Sequence, residues 1–310
     1  MLSEITIQFT DKCNVNCPYC FAGKKNMNML SPDKFEFFLD FCKRETLDVI
    51  HITGGEPSLN SNFSNYITRL AEIASLVIYT NFTTKNLTTG IQSRDPQSIV
   101  FLVNMNSKDF CSSKEAMNFQ QNFENAIVKN FRIALSYTFY KGSKSIEKIF
   151  DELISLMREY HLRNLRISQA LTFSSDKAFM SREDVQFLYH YVADNILKWS
   201  REGFSVYFDC PVPPCYIDLS DFQMLKKHKV VSIQCIPKSF IMWNLDVTHC
   251  YSTMSNSNQV NLTCFNNMVE IKQFSKILLQ DIQNQNNRTS CYNCIHHEDG
   301  MFCGCPFYSI

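Results

Sequence analysis

Three cysteines stand close together near the start of the chain, in the stretch "CNVNCPYC" at residues 13–20. Their spacing is C-x3-C-x2-C, with Cys13, Cys17 and Cys20 as the three thiols. A closed tetrahedral metal site takes four ligands, whereas a site that does chemistry keeps one position open. Thiolates also hold iron–sulfur clusters, which normally take four cysteines. Three thiols therefore indicate a metal centre at which an outside ligand can bind.

A second group of cysteines lies towards the other end of the chain. It comprises Cys235, Cys250, Cys291, Cys294, Cys303 and Cys305, with Cys210 and Cys215 just upstream. The first ten residues lack the basic and apolar segments of a signal peptide, so we expect a cytoplasmic protein. Because the cytosol keeps thiols reduced, most of the 14 cysteines are expected to serve metal rather than disulfides. We expect Cys42, Cys111 and Cys264, which stand alone, to be ordinary buried residues.

The charge balance excludes several classes of partner. The chain has 310 residues with 30 basic and 30 acidic side chains, and its sequence pI is about 7.0. With equal numbers of basic and acidic side chains, the chain lacks the net charge that would attract nucleic acid or a charged membrane surface. No apolar run reaches the roughly 18–20 residues that span a bilayer. We therefore expect neither nucleic acid nor membrane as a partner.

Strand and helix patterns alternate along the first two thirds of the chain. Strands are predicted over 4–10, 48–53, 76–81, 99–106, 132–139 and 165–171, and helices over 31–45, 64–74, 145–161 and 181–203. This alternation predicts an α/β fold with a parallel sheet, as a partial (β/α)6 TIM-like barrel. In barrels the chemistry sits at the carboxyl ends of the strands. The cysteine stretch follows the first strand and "GGEP" at 54–57 follows the second, so we expect one shared site.

The pattern changes after about residue 204, where we place a domain boundary. Residues 1–204 would form the barrel, and 205–310 a small cysteine-rich domain with its core at 235–306. That second part offers a hairpin pattern before Cys250 and one good helix over 268–285. A segment so poor in regular core needs a metal or disulfide staple.

The two motifs together resemble the radical S-adenosylmethionine (radical SAM) enzyme superfamily. The resemblance rests on C-x3-C-x2-C with Tyr19 before its last cysteine, and on "GGEP" after the second strand, and it covers roughly residues 1–200. It implies a [4Fe–4S] cluster on Cys13, Cys17 and Cys20, with S-adenosylmethionine on the open iron. The further cofactor contacts that it implies are Tyr19, Gly54, Gly55, Glu56, Asn104, Ser136, Thr138 and Arg166, with Asn106 as an alternative to Asn104. Gly54 and Gly55 would leave room for the methionine ammonium, and Glu56 would accept a hydrogen bond from it.

The cysteine-rich tail resembles the SPASM and twitch auxiliary-cluster domains of the same superfamily. Those domains carry a hairpin between two cysteines, a helix, C-x2-C and often a closing "GCP", which matches about residues 235–306. The hairpin glycine is replaced by "NLD", and C-x8-C-x-C replaces the commoner spacing. The resemblance implies at least one auxiliary [4Fe–4S] cluster, first on Cys235, Cys250, Cys291 and Cys294. Whether Cys303, Cys305, Cys210 and Cys215 join it or build a second cluster stays open.

Zinc is the alternative at both cysteine groups. The C-x3-C-x2-C stretch would then need a fourth ligand from elsewhere in the chain. In the tail, C-x2-C with a later C-x-C also suits zinc held by four thiolates, with His296 and His297 nearby.

The resemblance implies reductive cleavage of S-adenosylmethionine to a 5′-deoxyadenosyl radical, which abstracts hydrogen from a substrate. Auxiliary domains accompany peptide substrates most often, so we expect modification of a ribosomally synthesised peptide by crosslinking, thioether formation, epimerisation or oxidation. A flavodoxin or ferredoxin would supply the electron. The first strand begins by about residue 5, so we expect peptide recognition either by a separate protein or by direct binding of the substrate in the barrel.

Two other functions stay open. One is a small-molecule radical SAM dehydrogenase or epimerase in secondary-metabolite or sugar biosynthesis. The other is a metal-bound structural or partner-binding protein whose radical site is inactive.

Overall fold

The computed structural model describes residues 3–20, 26–170, 178–236, 238–250 and 259–285. These fall into two compact units, which divide the chain differently from the predicted boundary at residue 204. The first unit takes in 3–17, 26–133, 238–250 and 259–280, and the second takes in 18–20, 134–170, 178–236 and 281–285. The described part of the chain has no helix long and apolar enough to cross a membrane.

The first unit is built on a mostly parallel sheet. Its strands are β1 (Glu4–Gln8), β2 (Val49–Thr53), β3 (Ser75–Thr80), β4 (Ile99–Asn104), β8 (Phe240–Ile241), β9 (Asp246–Thr248) and β10 (Val260–Asn261), in the order β10-β9-β8-β1-β2-β3-β4. Strands β8, β1, β2, β3 and β4 run parallel, and β9 and β10 pair antiparallel. The predicted hairpin before Cys250 is therefore confirmed, and it extends the sheet at β1.

The second unit contains a shorter parallel sheet. Its strands are β5 (Arg132–Phe139), which begins in the first unit, β6 (Asn164–Gln169) and β7 (Ser205–Phe208). Its helices are α4 (Ile146–Glu159), α5 (Arg182–Arg201) and α6 (Leu219–Lys227). Strand β7 and helix α6 were not predicted and continue the α/β pattern past residue 204. The α/β class with a mostly parallel sheet is confirmed.

Four helices lie wholly or mainly in the first unit. They are α1 (Pro32–Glu45), α2 (Phe63–Leu70), α3 (Ser113–Val128) and α7 (Met268–Gln285), of which α7 ends in the second unit. Helix α1 begins as predicted, with Ser31 as N-cap and Pro32 in the first turn. Phe35 on α1 stacks on Tyr66 of α2 at a ring distance of 3.7 Å, and Tyr66 packs edge-on against Phe9. This packing holds β1, and so the start of the cysteine stretch, against two helices.

Helix α3 was not predicted, although its start carries a clear signal. Ser112 and Glu115 form a capping box, in which the Ser112 hydroxyl accepts from the Glu115 amide and the Glu115 carboxylate accepts from the Ser112 amide at 2.8 Å. The S-x-x-E pattern is the sequence signature of this arrangement.

We expect Ser112→Ala to destabilise the start of α3 by about 1 kcal/mol, because one backbone donor loses its partner. Amide hydrogen exchange in the first turn of α3 should speed up about fivefold, the equivalent of that energy. Ser113→Ala is the matched control, since Ser113 is the first helical residue and Ser112 is the cap. Equal exchange rates in both variants would contradict the prediction.

Candidate functional site

The first four strands bring the predicted motifs to one edge of the first sheet. Parallel pairing of β1 with β2, β2 with β3 and β3 with β4 places their carboxyl ends side by side. The cysteine stretch follows β1, "GGEP" follows β2, Asn81 follows β3, and Asn104 ends β4. The strand topology therefore brings the two motifs to one location.

Hydrogen bonds join the residues just before the cysteine stretch to residues that follow it. The Asp11 carboxylate accepts from the Asn28 amide and from its side-chain Nδ2, each at 2.7 Å. The Thr10 hydroxyl donates to the Asn28 carbonyl at 2.6 Å, and the Leu30 amide donates to the Phe9 carbonyl at 2.8 Å. These bonds hold both ends of the loop that carries the cysteines, independently of any metal.

Gly54 and Gly55 let two backbone segments approach closely. The Gly55 amide donates to the Thr10 carbonyl and the Glu56 amide to the Lys12 carbonyl, each at 2.8 Å. A Cβ on Gly55 would lie 2.3 Å from the Lys12 carbonyl oxygen, and one on Gly54 would lie 2.6 Å from that of Thr10. The glycines therefore make room for the residues just before Cys13. Their predicted contact with a methionine ammonium stays a prediction.

The Glu56 side chain is fully buried and tied to the end of β3. Its carboxylate accepts from the Thr80 hydroxyl at 3.0 Å, from the Asn81 amide at 2.7 Å and from the Ser58 amide at 3.2 Å. Burial raises the pKa of Glu56, against the effect of these hydrogen bonds. The role predicted for Glu56, accepting from an ammonium, stays a prediction.

Asn81 connects the parts of this site and was not singled out from the sequence. Its side-chain Nδ2 donates to Cys13 Sγ at 3.8 Å and to Asn14 Oδ1 at 3.0 Å. Its Oδ1 accepts from the Thr83 amide at 2.9 Å, and its carbonyl accepts from the Ser107 hydroxyl at 2.9 Å. The available signal was its position, directly after a strand that ends at the functional edge.

Asn14, beside the first cysteine, makes two further hydrogen bonds through its side-chain nitrogen. Its Nδ2 donates to the Thr83 hydroxyl and to the Glu115 carboxylate, each at 2.7 Å. Glu115 belongs to the capping box of α3. The start of the cysteine stretch is therefore positioned by the loop after β3 and by the first turn of α3.

The three predicted cluster ligands form no disulfide with any cysteine in the described part of the chain. Cys13 and Cys17 are half-buried and Cys20 is exposed. No three His, Cys, Asp or Glu side chains among the described residues converge as a single metal ion requires. A four-iron cluster binds each thiolate through a different iron, so its ligands stand farther apart. Three cysteines that form no disulfide, with a side-chain N–H directed at the first, are residues of the type that ligates such a cluster.

Asn104 is better placed for ligand contact than its alternative. Asn104 is partly exposed and caps the short 3-10 helix Met105–Asp109, since its side chain accepts from the Asn106 amide at 3.2 Å. The Asn106 side chain is fully buried. Contact of either residue with a ribose stays a prediction.

The remaining predicted cofactor contacts lie in the second unit. Tyr19 is buried and packs on Tyr140 with ring centroids 5.2 Å apart. Ser136 on β5 is buried, and Arg166 on β6 forms an ion pair with Asp209. This ion pair occupies Arg166 within its own sheet, and its role towards a cofactor stays a prediction.

The tail ligands are only partly described. Cys235 and Cys250 are half-buried, while Cys291, Cys294, Cys303 and Cys305, with His296 and His297, lie outside the described residues. Cys210 is half-buried and Cys215 exposed. The auxiliary cluster and its ligand set therefore stay predictions.

The burial predicted for the three isolated cysteines needs a correction. Cys42 in α1 is buried, as predicted, and burial raises the pKa of its thiol. Cys111 is only half-buried and Cys264 is exposed. Cys111 lies in the short connection between the 3-10 helix Met105–Asp109 and α3, and Cys264 ends the 3-10 helix Leu262–Cys264.

A second polar cluster lies on the face of the first sheet opposite to Ile50 and Ile52. His51 Nε2 lies 3.1 Å from a Glu4 carboxylate oxygen, and the Tyr79 hydroxyl lies 3.3 Å from His51 Nδ1. The bond to His51 lowers the pKa of Glu4, helped by the charges of Lys238 and Lys272.

We expect the stabilising effect of Glu4 to be present above its unfolded pKa of about 4.3 and to disappear as pH falls through the lower folded pKa. A carboxyl NMR titration should show this low pKa, and His51→Gln should raise it. Tyr79→Phe is the control, because it leaves the contact between His51 and Glu4 in place. An unchanged Glu4 titration in His51→Gln would contradict the assignment.

Part of the chain matches a known family model. Residues 7–97 match the model described as "Radical SAM superfamily", so this part of the chain is a radical SAM domain. It contains the cysteine stretch, Gly54–Glu56 and Asn81. A curated GTP 3′,8-cyclase from Aquifex aeolicus is 24% identical over 266 residues, which cover 77% of this chain and 76% of that protein.

Solved structures of radical SAM enzymes share the fold. SuiB from Streptococcus suis, bound to its precursor peptide SuiA, superposes with a TM-score of 0.63 at 18% identity. The match covers 88% of this chain and 64% of the SuiB chain, so this chain spans less than two thirds of that structure. The enzyme anSMEcpe, with bound AdoMet and the Cp18Cys peptide, gives a TM-score of 0.65 at 11% identity, covering 95% of this chain and 86% of that chain.

Proposed function

We propose that this chain, which contains a radical SAM domain over residues 7–97, is an enzyme that cleaves S-adenosylmethionine reductively and modifies a ribosomally synthesised peptide. The proposed cleavage of S-adenosylmethionine is supported by the way the motif residues are arranged at the carboxyl ends of the strands. Gly55 and Glu56 bind the backbone just before Cys13, and Asn81 donates to the Cys13 sulfur.

The cysteine loop would hold the cluster through Cys13, Cys17 and Cys20. When bound, the cluster and S-adenosylmethionine supply one-electron cleavage of a carbon–sulfur bond, which gives methionine and a 5′-deoxyadenosyl radical that removes hydrogen from the substrate. Asp11, Thr10 and Asn28 keep the loop closed at its base. Asn104, partly exposed at the end of β4, is the side chain that we place against the ribose.

The peptide substrate is the finer part of the proposal. Its support is that two proteins with this fold, SuiB and anSMEcpe, have been seen with peptides. The cysteine-rich tail adds the resemblance to auxiliary-cluster domains, and we propose at least one further [4Fe–4S] cluster there. We also propose a flavodoxin- or ferredoxin-type electron donor, a separate peptide-recognition protein and a cytoplasmic location.

The second candidate is a small-molecule substrate, and the sequence relatives favour it. The relative from Aquifex aeolicus is named a GTP 3′,8-cyclase, and it matches over three quarters of this chain. A nucleotide would then take the place of the peptide at the same strand ends, with the same cleavage of S-adenosylmethionine.

The test is anaerobic turnover of the reconstituted protein with S-adenosylmethionine and dithionite. We expect equal amounts of methionine and 5′-deoxyadenosine, and no cleavage would favour an inactive radical site. Adding a short peptide encoded beside the gene should increase 5′-deoxyadenosine formation and change the mass of the peptide. Stimulation by GTP, with conversion of GTP and no change in the peptide, would support the second candidate and contradict the peptide proposal.

A further inference from the structure

We propose that Asn81 is a positioning residue that sets the reduction potential of the iron–sulfur cluster through its N–H bond to Cys13. The inference rests on the proposed function, because it requires a cluster on Cys13, Cys17 and Cys20. It concerns a residue outside the two sequence motifs, on a different loop.

The geometry aims the amide of Asn81 at the sulfur. Nδ2 lies 3.8 Å from Cys13 Sγ and 3.0 Å from Asn14 Oδ1, so its two hydrogens have two acceptors. The orientation of the amide group is set from its other end. Oδ1 accepts from the Thr83 amide at 2.9 Å and from the Thr83 hydroxyl at 2.7 Å, so the oxygen faces donors and the nitrogen faces the sulfur.

Asn81 is also held too firmly to turn away from the sulfur. Only 7% of the residue is exposed, and its backbone amide donates to Glu56 at 2.7 Å. Its backbone carbonyl accepts from Ser107 at 2.9 Å. A buried dipole held in one orientation acts on a nearby charge more strongly than one that water can reorient.

The expected effect follows from charge. One-electron reduction adds negative charge to a cluster, and hydrogen bonds to its sulfurs are among the features that set its potential. An N–H directed at a ligand thiolate stabilises the more negative, reduced state. Asn81 should therefore make the cluster easier to reduce. The same residue contacts Cys13 through its side chain and Glu56 through its backbone amide, so it links "GGEP" to the cluster ligand.

The test is the midpoint potential of the cluster in anaerobic redox titrations followed by EPR. Asn81→Asp keeps the shape and the acceptor for Thr83 but replaces the N–H donor by a carboxylate. We expect its potential to shift to more negative values than in the wild type. Asn81→Ala, which removes the donor without adding charge, should shift the potential in the same direction by a smaller amount.

Asn65→Asp is the matched control, because it makes the same substitution at an exposed position of α2, outside this network of hydrogen bonds. We expect it to keep the wild-type potential. Unchanged potentials in both Asn81 variants, or an equal shift in Asn65→Asp, would overturn the inference. If neither Asn81 variant holds a cluster, exchangeable-proton couplings to the reduced wild-type cluster, measured in H2O and D2O, decide the matter, and their absence overturns the inference. Failure of the wild type to bind iron would refute the proposed function instead.

Discussion

Replacing Cys13, Cys17 and Cys20 together by alanine is expected to reduce 5′-deoxyadenosine formation to background while leaving about four irons per chain. The first effect follows because those thiols are the predicted ligands of the radical SAM cluster. The second follows from the proposed auxiliary cluster in the tail. Iron and sulfide analysis of anaerobically purified protein measures the retained cluster, and an assay for 5′-deoxyadenosine measures the loss of activity.

The matched control is Cys264→Ala. Cys264 is exposed and lies outside every predicted ligand set, so this variant should keep both the iron content and the activity of the wild type. A folded triple variant with essentially no iron would contradict the auxiliary cluster and remove the main sequence support for a peptide substrate. Undiminished formation of 5′-deoxyadenosine in the triple variant would contradict the radical SAM site itself.

The second large effect is expected from Gly55→Ala. The added Cβ would stand 2.3 Å from the Lys12 carbonyl oxygen, and a backbone atom cannot rotate away as a side chain can. Overpacking of this kind costs about 1–3 kcal/mol or more. Because Lys12 precedes Cys13, we expect the variant to lose most of its bound iron at the radical SAM site and to unfold at a lower temperature.

Gly90→Ala separates this effect from a general intolerance of alanine at glycine positions. Its Cβ would meet the Ser64 hydroxyl at 2.7 Å, a side-chain atom that can move. We expect near-wild-type iron content and thermal stability in Gly90→Ala. If Gly55→Ala binds S-adenosylmethionine and iron as the wild type does, the close approach of the two segments does not position the cysteine loop.

Much of the fold was predictable because its strands and helices carry strong local patterns. Strand β5 and helix α7 have the predicted bounds, and α1 begins at the predicted cap. Strand β7, a four-residue strand directly after a long helix, offered too little sequence for its period to be recognised. Helix α3 was missed because most of its residues are polar, and only its capping box marks its start.

The site was predictable where a motif is contiguous and not where it is assembled from distant segments. The cysteine stretch and "GGEP" are short motifs in sequence. Asn81 acquires its role only because the fold brings it beside Cys13, 68 residues earlier. The close approach behind Gly55 likewise depends on backbone pairing between two loops. Neither composition nor periodicity carries such information.

The pairing of β8 with β1 has a consequence for the order in which the protein matures. Thr6 and Ile7 pair with Phe240 and Ile241, so one edge of β1 stays open until about 240 residues have been synthesised. An open edge with apolar residues such as Ile5 and Ile7 invites pairing with other chains. Contacts this distant in sequence also form slowly. The strand that leads into the cysteine loop therefore reaches its final surroundings late in synthesis, and chaperone protection of the nascent chain would matter most before β8 arrives.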